Sequence, residues 1–337
     1  MRLIRLLLLV LVFFSCKNND TPDVSKIKIE IKVQRFEKDF FDIDTNNILS
    51  ELKKLQSTYP TFITDFTAQI LGFDPNTPPD SLSKYIKLFI RDYRFAKDSA
   101  DKEFGNFSKF ENEIKKGLQF VKYYFPSYTI PKKIITFIGP FDGYSDVLTT
   151  DALAVGLQLH LGNNFSFYQS PSGKDLFPDY IASRFEPAYI IVNCLKNVTD
   201  DMYPDKSTGK PLIVQMVEKG KRIYLLDKFL PDTEEYLKIG YTKDQMKDCY
   251  TNEAVIWNFF LTNDLLNNPE QNIIKNYIGD SPKTQELGEG SPGNIGAFSG
   301  WQIVKKFMND NTNVTLPQLM KIDAREIYSR SKYKPRN

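Results

Sequence analysis

The sequence predicts an α+β fold in which a small mixed sheet packs against a predominantly helical body. Three observations carry this expectation. Alternation with a period of two is confined to a few short runs, the clearest setting Ile27, Ile29, Ile31 and Val33 against Lys28, Glu30, Lys32 and Gln34. Elsewhere apolar residues recur three and four apart, the spacing of an amphipathic helix. The 337 residues are 41% hydrophobic and 26% charged, enough apolar surface to bury a core, which excludes a disordered chain. The 44 basic and 42 acidic residues are mixed along the chain, so no basic face for nucleic acid is expected.

Residues 1–15 read as a signal peptide. Arg2 and Arg5 lead into the apolar run 6–14, too short to cross a bilayer, which takes about 20 apolar residues. Ser15-Cys16 then fits a lipobox, with Cys16 acylated as the new N-terminus; an ordinary signal peptide with a chance cysteine is the alternative. Residues 16–25 are polar and turn-forming, a tether rather than a fold. Acyl chains on Cys16 make a membrane the first expected partner.

Residues 26–337 are expected to form one α+β domain, with a helical N-terminal part (26–128) and a sheet-and-helix remainder (129–337). The run 26–35 reads as a strand. Thr45-Asn46-Asn47 cap a helix over 48–59 that Pro60 ends, and a short helix over 61–72 is closed by Gly72. After the three-proline loop 74–81, helices are expected to Asp98 and over 102–125. Strands follow at 132–139, near 144–148, and over 152–161, where Leu153, Val155, Leu157, Leu159 and Leu161 alternate with small or polar residues. Helices then cover 212–229 (opened by Pro211, closed by Pro231), 243–266 (capped by Thr242), 294–309 and 316–327.

The stretch 179–197, DYIASRFEPAYIIVNCLKN, is the centre of the functional reading. A strand end, a helix with Glu186 and a second helix with Glu218 beside Gly220 follow the order in which a zinc peptidase lays out its site. Such an enzyme needs two histidines four apart on one helix face, so that both imidazoles reach one metal. Phe185 and Tyr189 stand at those positions, which removes a histidine zinc site. His160 is the only histidine and ends an apolar run with no Gly-x-Ser-x-Gly elbow in the chain, so it reads as structural. Glu186, Glu218 and Glu253 each lie where a segment is expected to face the sheet. A solvated helix face is the ordinary reading for each, and Glu218 stands out because Gly220 permits close packing.

No oxygen-rich loop has calcium spacing, and the glycine-rich 288–296 lacks the Lys-Ser/Thr of a phosphate loop. Trp257 and Trp301 could line a groove, although tryptophans at helical spacing are more often core. Cys194 and Cys249 could pair in an exported protein, but their apolar neighbours fit two buried free thiols better.

Several stretches together resemble the gliding motility lipoprotein GldB family of Bacteroidetes. They are the lipobox at Ser15-Cys16; Arg35-Phe36-Glu37-Lys38-Asp39-Phe40-Phe41; Arg184-Phe185-Glu186-Pro187; and Gln215-Met216-Val217-Glu218-Lys219-Gly220-Lys221. Asn252-Glu253 with Trp257, and Ser291-Pro292-Gly293-Asn294-Ile295-Gly296 with Gly300-Trp301-Gln302-Ile303-Val304, complete the set. The likeness spans nearly the whole mature chain. That family is similar in turn to predicted zinc-dependent proteases, whose His-Glu-x-x-His helix precedes a Glu-Gly ligand and a Pro-Gly-x-Ile-Gly segment. The resemblance implies a zincin-like domain without a metal site and with no cofactor. Glu186 stands for the catalytic glutamate, Glu218 for the glutamate ligand, and Phe185 and Tyr189 for the lost histidines.

It further implies a non-enzymatic component of the gliding apparatus, lipid-anchored on the periplasmic face of a membrane. Its partners are other gliding or secretion-machinery proteins. The binding mode expected is an extended peptide added to an edge strand at 152–161, with Val155, Leu157 and Trp301 lining the groove. The alternatives are a metal-dependent hydrolase using Glu186 and Glu218 with atypical ligands, and a sugar- or peptidoglycan-binding lipoprotein.

Overall fold

The computed structural model describes residues 21–335, so the signal peptide, the lipidation site Cys16 and the first part of the tether lie outside the described residues. Among the described residues the chain begins with strand β1 (Lys32–Arg35) and helices α1 (Phe36–Phe41), α2 (Ile48–Thr58) and α3 (Phe62–Asp65). A π-helical turn, Phe66–Ile70, leads to α4 (Pro79–Asp92), α5 (Arg94–Phe104) and α6 (Ser108–Tyr124). Strands β2 (Lys133–Phe137), β3 (Asp146–Leu148) and β4 (Ala152–Gly156) follow, then a 3-10 turn, Leu157–Leu159. The remainder is helical: α7 (Ser166–Gln169), α8 (Pro171–Leu176), α9 (Asp179–Ala182), α10 (Tyr189–Met202), α11 (Leu212–Phe229) and α12 (Glu235–Ile239). It closes with α13 (Lys243–Thr251), α14 (Glu253–Thr262), α15 (Gln271–Ile278), α16 (Ile295–Asp310), α17 (Leu316–Lys321) and α18 (Ala324–Ser331). This is the α+β architecture expected, mostly helical around a small sheet.

The sheet runs β1-β2-β4-β3, with the first two pairings parallel and the last antiparallel. Its centre is apolar: every residue of β4 is buried, and Ile134, Ile135 and Phe137 of β2 are too. Parallel strands covered on both faces read as continuous apolar runs. The Arg35–Phe41 stretch locks the sheet to the N-terminal helices. Arg35 Nε donates to Glu37 Oε1 at 2.7 Å and to Thr136 Oγ1 at 3.0 Å, and its Nη1 donates to the Phe104 carbonyl at 2.8 Å. Glu37 is fully buried, and Thr136 Oγ1 donates to its Oε2 at 2.5 Å. Phe36 and Phe40 face the opposite way, into a cluster with Phe62 and Phe66. Aromatic pairs at 4.6–5.0 Å contribute roughly 0.5–1.5 kcal/mol each beyond their buried area.

The helical half is built on one close crossing, α11 against α16. A Cβ added to Gly220 would stand 2.3 Å from the Gly300 carbonyl carbon, and one on Gly300 would stand 1.8 Å from the Met216 carbonyl oxygen. Only glycine lets the two backbones approach this far. The Glu218–Lys219–Gly220 and Gly296…Gly300-Trp301 stretches are therefore the two sides of one packing contact.

Several expected elements are shorter or divided. The run 26–35 pairs only over Lys32–Arg35. The helix expected to reach Asp98 breaks at Tyr93 (φ −99°, ψ 4°), and the one over 102–125 is two helices parted by Gly105–Phe107. The 243–266 helix divides at Asn252, whose φ of −107° and ψ of 18° leave the helical region. The last helix divides because Asp323 caps α18, accepting from the Arg325 and Glu326 amides. Ser, Asp and Asn side chains compete for backbone hydrogen bonds in this way, and apolar periodicity does not register it.

Candidate functional site

The stretch 179–197 is not one helix. Pro187 cannot donate to a helical ladder, and residues 183–188 form a turn between α9 and α10. Glu186 sits in that turn, and Tyr189 opens α10. Phe185 is buried between Tyr168 and Phe177, with ring centroids 5.0 and 4.7 Å away. The two positions assigned to lost histidines thus hold aromatic rings that are 9% and 6% exposed.

The turn is pinned to the chain just beyond the 3-10 turn that follows β4. The Gly162 amide donates to the Phe185 carbonyl at 2.8 Å, and the Asn163 amide donates to Glu186 Oε1 at 2.9 Å. His160, fully buried, places Nδ1 3.3 Å from the Glu186 carbonyl and Nε2 2.9 Å from Asp146 Oδ2. Asn193 Nδ2 of α10 donates to the same Asp146 oxygen at 2.8 Å. His160 therefore ties β3, the end of β4 and the Glu186 turn together, in line with the structural role read for it.

Beside this turn lies a cavity of about 650 Å³, bounded by the α9–α10 turn, the α12–α13 connection and the loop before α16. Tyr180, Arg184, Glu186, Tyr189, Tyr236 and Tyr241 line it, with Pro292 and Gly293 at the far wall. Burial pushes Tyr189 up to about 12, and burial raises Tyr241 well above the usual phenol range. Both remain neutral phenols, and the Tyr241 hydroxyl donates to the Asn294 carbonyl at 3.2 Å. Arg184 Nη1 donates to Asp280 Oδ1 at 3.0 Å, while its buried Nε has no partner among the described residues. The guanidinium passes close over Gly240, whose φ of +83° favours glycine; a Cβ added there would stand 3.1 Å from Arg184 Nε.

Glu218 does not join this cavity. Its Oε1 accepts from Lys221 Nζ at 2.7 Å and its Oε2 lies 3.6 Å from Arg222, while Lys221 also donates to the Ile322 carbonyl at 2.6 Å. Glu253 accepts from the Tyr333 hydroxyl at 2.5 Å, far along the chain from either glutamate. Neither faces the sheet as expected. Among the described residues no three His, Cys, Asp or Glu side chains are grouped to hold a metal ion. Cys194 and Cys249 are both buried and unbridged, and burial pushes Cys249 up to about 12.

The expected peptide groove at 152–161 is overturned. β4 is an inner strand, paired by β2 on one side and β3 on the other, so no edge is free to receive a peptide. Val155, Leu157 and Trp301 are fully buried. Trp301 donates from Nε1 to Asp227 Oδ2 at 2.7 Å under the Lys305 ammonium. Alternation of aliphatic with small or polar residues identified a strand here but not its place in the sheet. Tyr236, Tyr241 and Arg184 were missed as wall residues; the two tyrosines belong to α12 and the turn after it, which only the tertiary fold brings against Arg184.

No helix of the described residues is long and apolar enough to cross a membrane. No curated protein and no solved structure matches the chain. A family model does: the one described as gliding motility protein GldB matches residues 17–335. That span takes in the Arg35–Phe41 lock, the Glu186 turn and the glycine crossing of α11 with α16, and the chain belongs to the GldB family of gliding motility proteins.

Proposed function

We propose that the chain is a lipid-anchored, non-catalytic component of the gliding apparatus, and that it holds an extended peptide of another envelope protein in the cavity beside Glu186. One observation carries the reading: the positions that the zinc-peptidase resemblance gives to histidines hold core-packed rings, yet the cavity beside them is open. Its volume falls in the ~300–1,000 Å³ range of ligand clefts. Neutral tyrosines offer apolar faces to side chains and hydroxyls to a peptide backbone. Arg184 and Glu186, two residues apart on one turn, fix the polarity of what enters.

A hydrolase built on Glu186 and Glu218 has less support. Glu218 is held by Lys221 and Arg222, and one oxygen of Glu186 already caps the Asn163 amide. The test is in-cell photo-crosslinking from a reactive side chain placed at Tyr236. The expected result is an adduct with another motility or secretion component that is lost when Tyr180→Ala is added. An absent adduct, or one indifferent to Tyr180, would overturn the proposal.

A further inference from the structure

A second, smaller cavity lies on the other side of α10, between α10, α11, α12 and the start of α16, with a volume of about 160 Å³. Four cations line it (Lys196, Lys219, Arg222 and Lys238) against one carboxylate, Asp200. Lys238 is held by Asp227 Oδ1 at 3.0 Å. Arg222 is fixed by Asp200 at 3.2 Å and by the Glu218 and Tyr203 carbonyls at 3.1 and 2.5 Å. Lys196 and Lys219 have no ion-pair partner among the described residues. A surplus of unpaired positive charge in a concave, partly dehydrated space is costly unless an anion completes it.

From this geometry we infer that the cavity binds an oxyanion of phosphate type, carried on a body with a free hydroxyl. A single water needs only ~15 Å³, so the space takes a larger group. Arg222 is held in place by its own partners and adds fixed positive charge, while the flexible ammoniums of Lys196 and Lys219 are the donors left to close on the oxyanion's oxygens. Asn294, at the N-cap of α16, and Ala297 in its first turn form part of the wall, and a helix N-terminus favours negative charge there. Asn294 Oδ1 is buried with no donor among the described residues, which leaves an acceptor for a hydroxyl of the same ligand. Burial, then the Arg184 charge, lowers Lys196 to about 8; Asp280 and Asp200 oppose this, and Lys219 adds to it. An anion in the cavity would reverse that cost. The site is separate from the Glu186 cavity and does not rest on its function.

The test titrates the full chain in detergent with inorganic phosphate, with sulfate, with glycerol phosphate, and with vesicles containing phosphatidylglycerol, whose headgroup carries free hydroxyls. The variants are Lys196→Met, which keeps the stem, and Lys219→Met. Binding should weaken about tenfold in each, the loss of one charge-assisted hydrogen bond. Sulfate keeps its charge at neutral and alkaline pH, so its binding should weaken as pH rises past about 8, when Lys196 gives up its proton. Without ligand, Lys196→Met should melt no lower than the parent, because it removes an unpaired cation; a purely structural lysine would leave a less stable variant. Binding of the soluble anions that drops in both variants assigns a soluble ligand. Binding only to vesicles, lost in the same variants, assigns a lipid headgroup. No binding to any probe, or binding indifferent to both substitutions, would overturn the inference.

Discussion

Glu186 shows how much a single side chain's meaning depends on its backbone. In a helix facing a metal it would be a base; in the turn that Pro187 imposes, its Oε1 caps the Asn163 amide and its carbonyl meets His160. Glu186→Gln keeps an acceptor for that amide and should change stability by under about 0.5 kcal/mol, whereas Glu186→Ala should cost about 1 kcal/mol in urea melts. At Lys196 the pH dependence follows from its lowered value. Between about 8 and its usual 10.5 the unfolded chain binds more protons than the fold, so this lysine's burden on stability lightens as pH rises through that window. The stability gap between Lys196→Met and the parent should therefore narrow from neutral pH to pH ~9.5, and a gap that widens would refute the assignment. The glutamate was legible because its stretch, with Glu218 in the helix that follows, keeps the order of a zinc-peptidase site. The lysine was not, since one cation in IIVNCLKNV reads as a solvated face until the packing of α11 and α12 around it is known.

At the scale of elements, the stretches that mark the family turn out to be joints. Arg35, Glu37 and Thr136 fasten β1 to β2, and Gly220 with Gly300 sets the distance between α11 and α16. Gly300→Ala would drive a methyl against the Met216 backbone and should destabilise by about 3 kcal/mol, while Ala297→Gly on the same helix should cost only about 1 kcal/mol. Chemical unfolding of the two variants distinguishes a packing joint from ordinary helix propensity. Sequence placed α11 at its observed residues because Pro211 and Pro231 bracket it. It merged α13 with α14 and α17 with α18, because joints of one or two residues, Asn252 and Ile322-Asp323, leave the apolar spacing intact. It drew β4 too long for a related reason: the alternation continues through Leu157–Leu159, where the chain has already turned into a 3-10 helix.

Across the whole molecule, the fold class and the location of the centre were readable, but the site's walls were not. The cavity beside Glu186 draws on α9, α10, α12, the start of α13 and the loop before α16, from Asp179 to Gly293 along the chain, which only the tertiary fold brings together. The expected groove failed for the complementary reason, that strand order is a property of the assembled sheet. Family membership fixes the biological setting as gliding motility, and the open, tyrosine-lined cavity supports binding within it. The most direct measurement compares gliding of cells whose only copy carries Glu186→Gln with cells carrying Tyr180→Ala and Tyr236→Ala together, at matched protein level and melting temperature. The account predicts normal gliding with the glutamine and loss of gliding with the paired alanines. Loss with the glutamine and normal gliding with the alanines would contradict it.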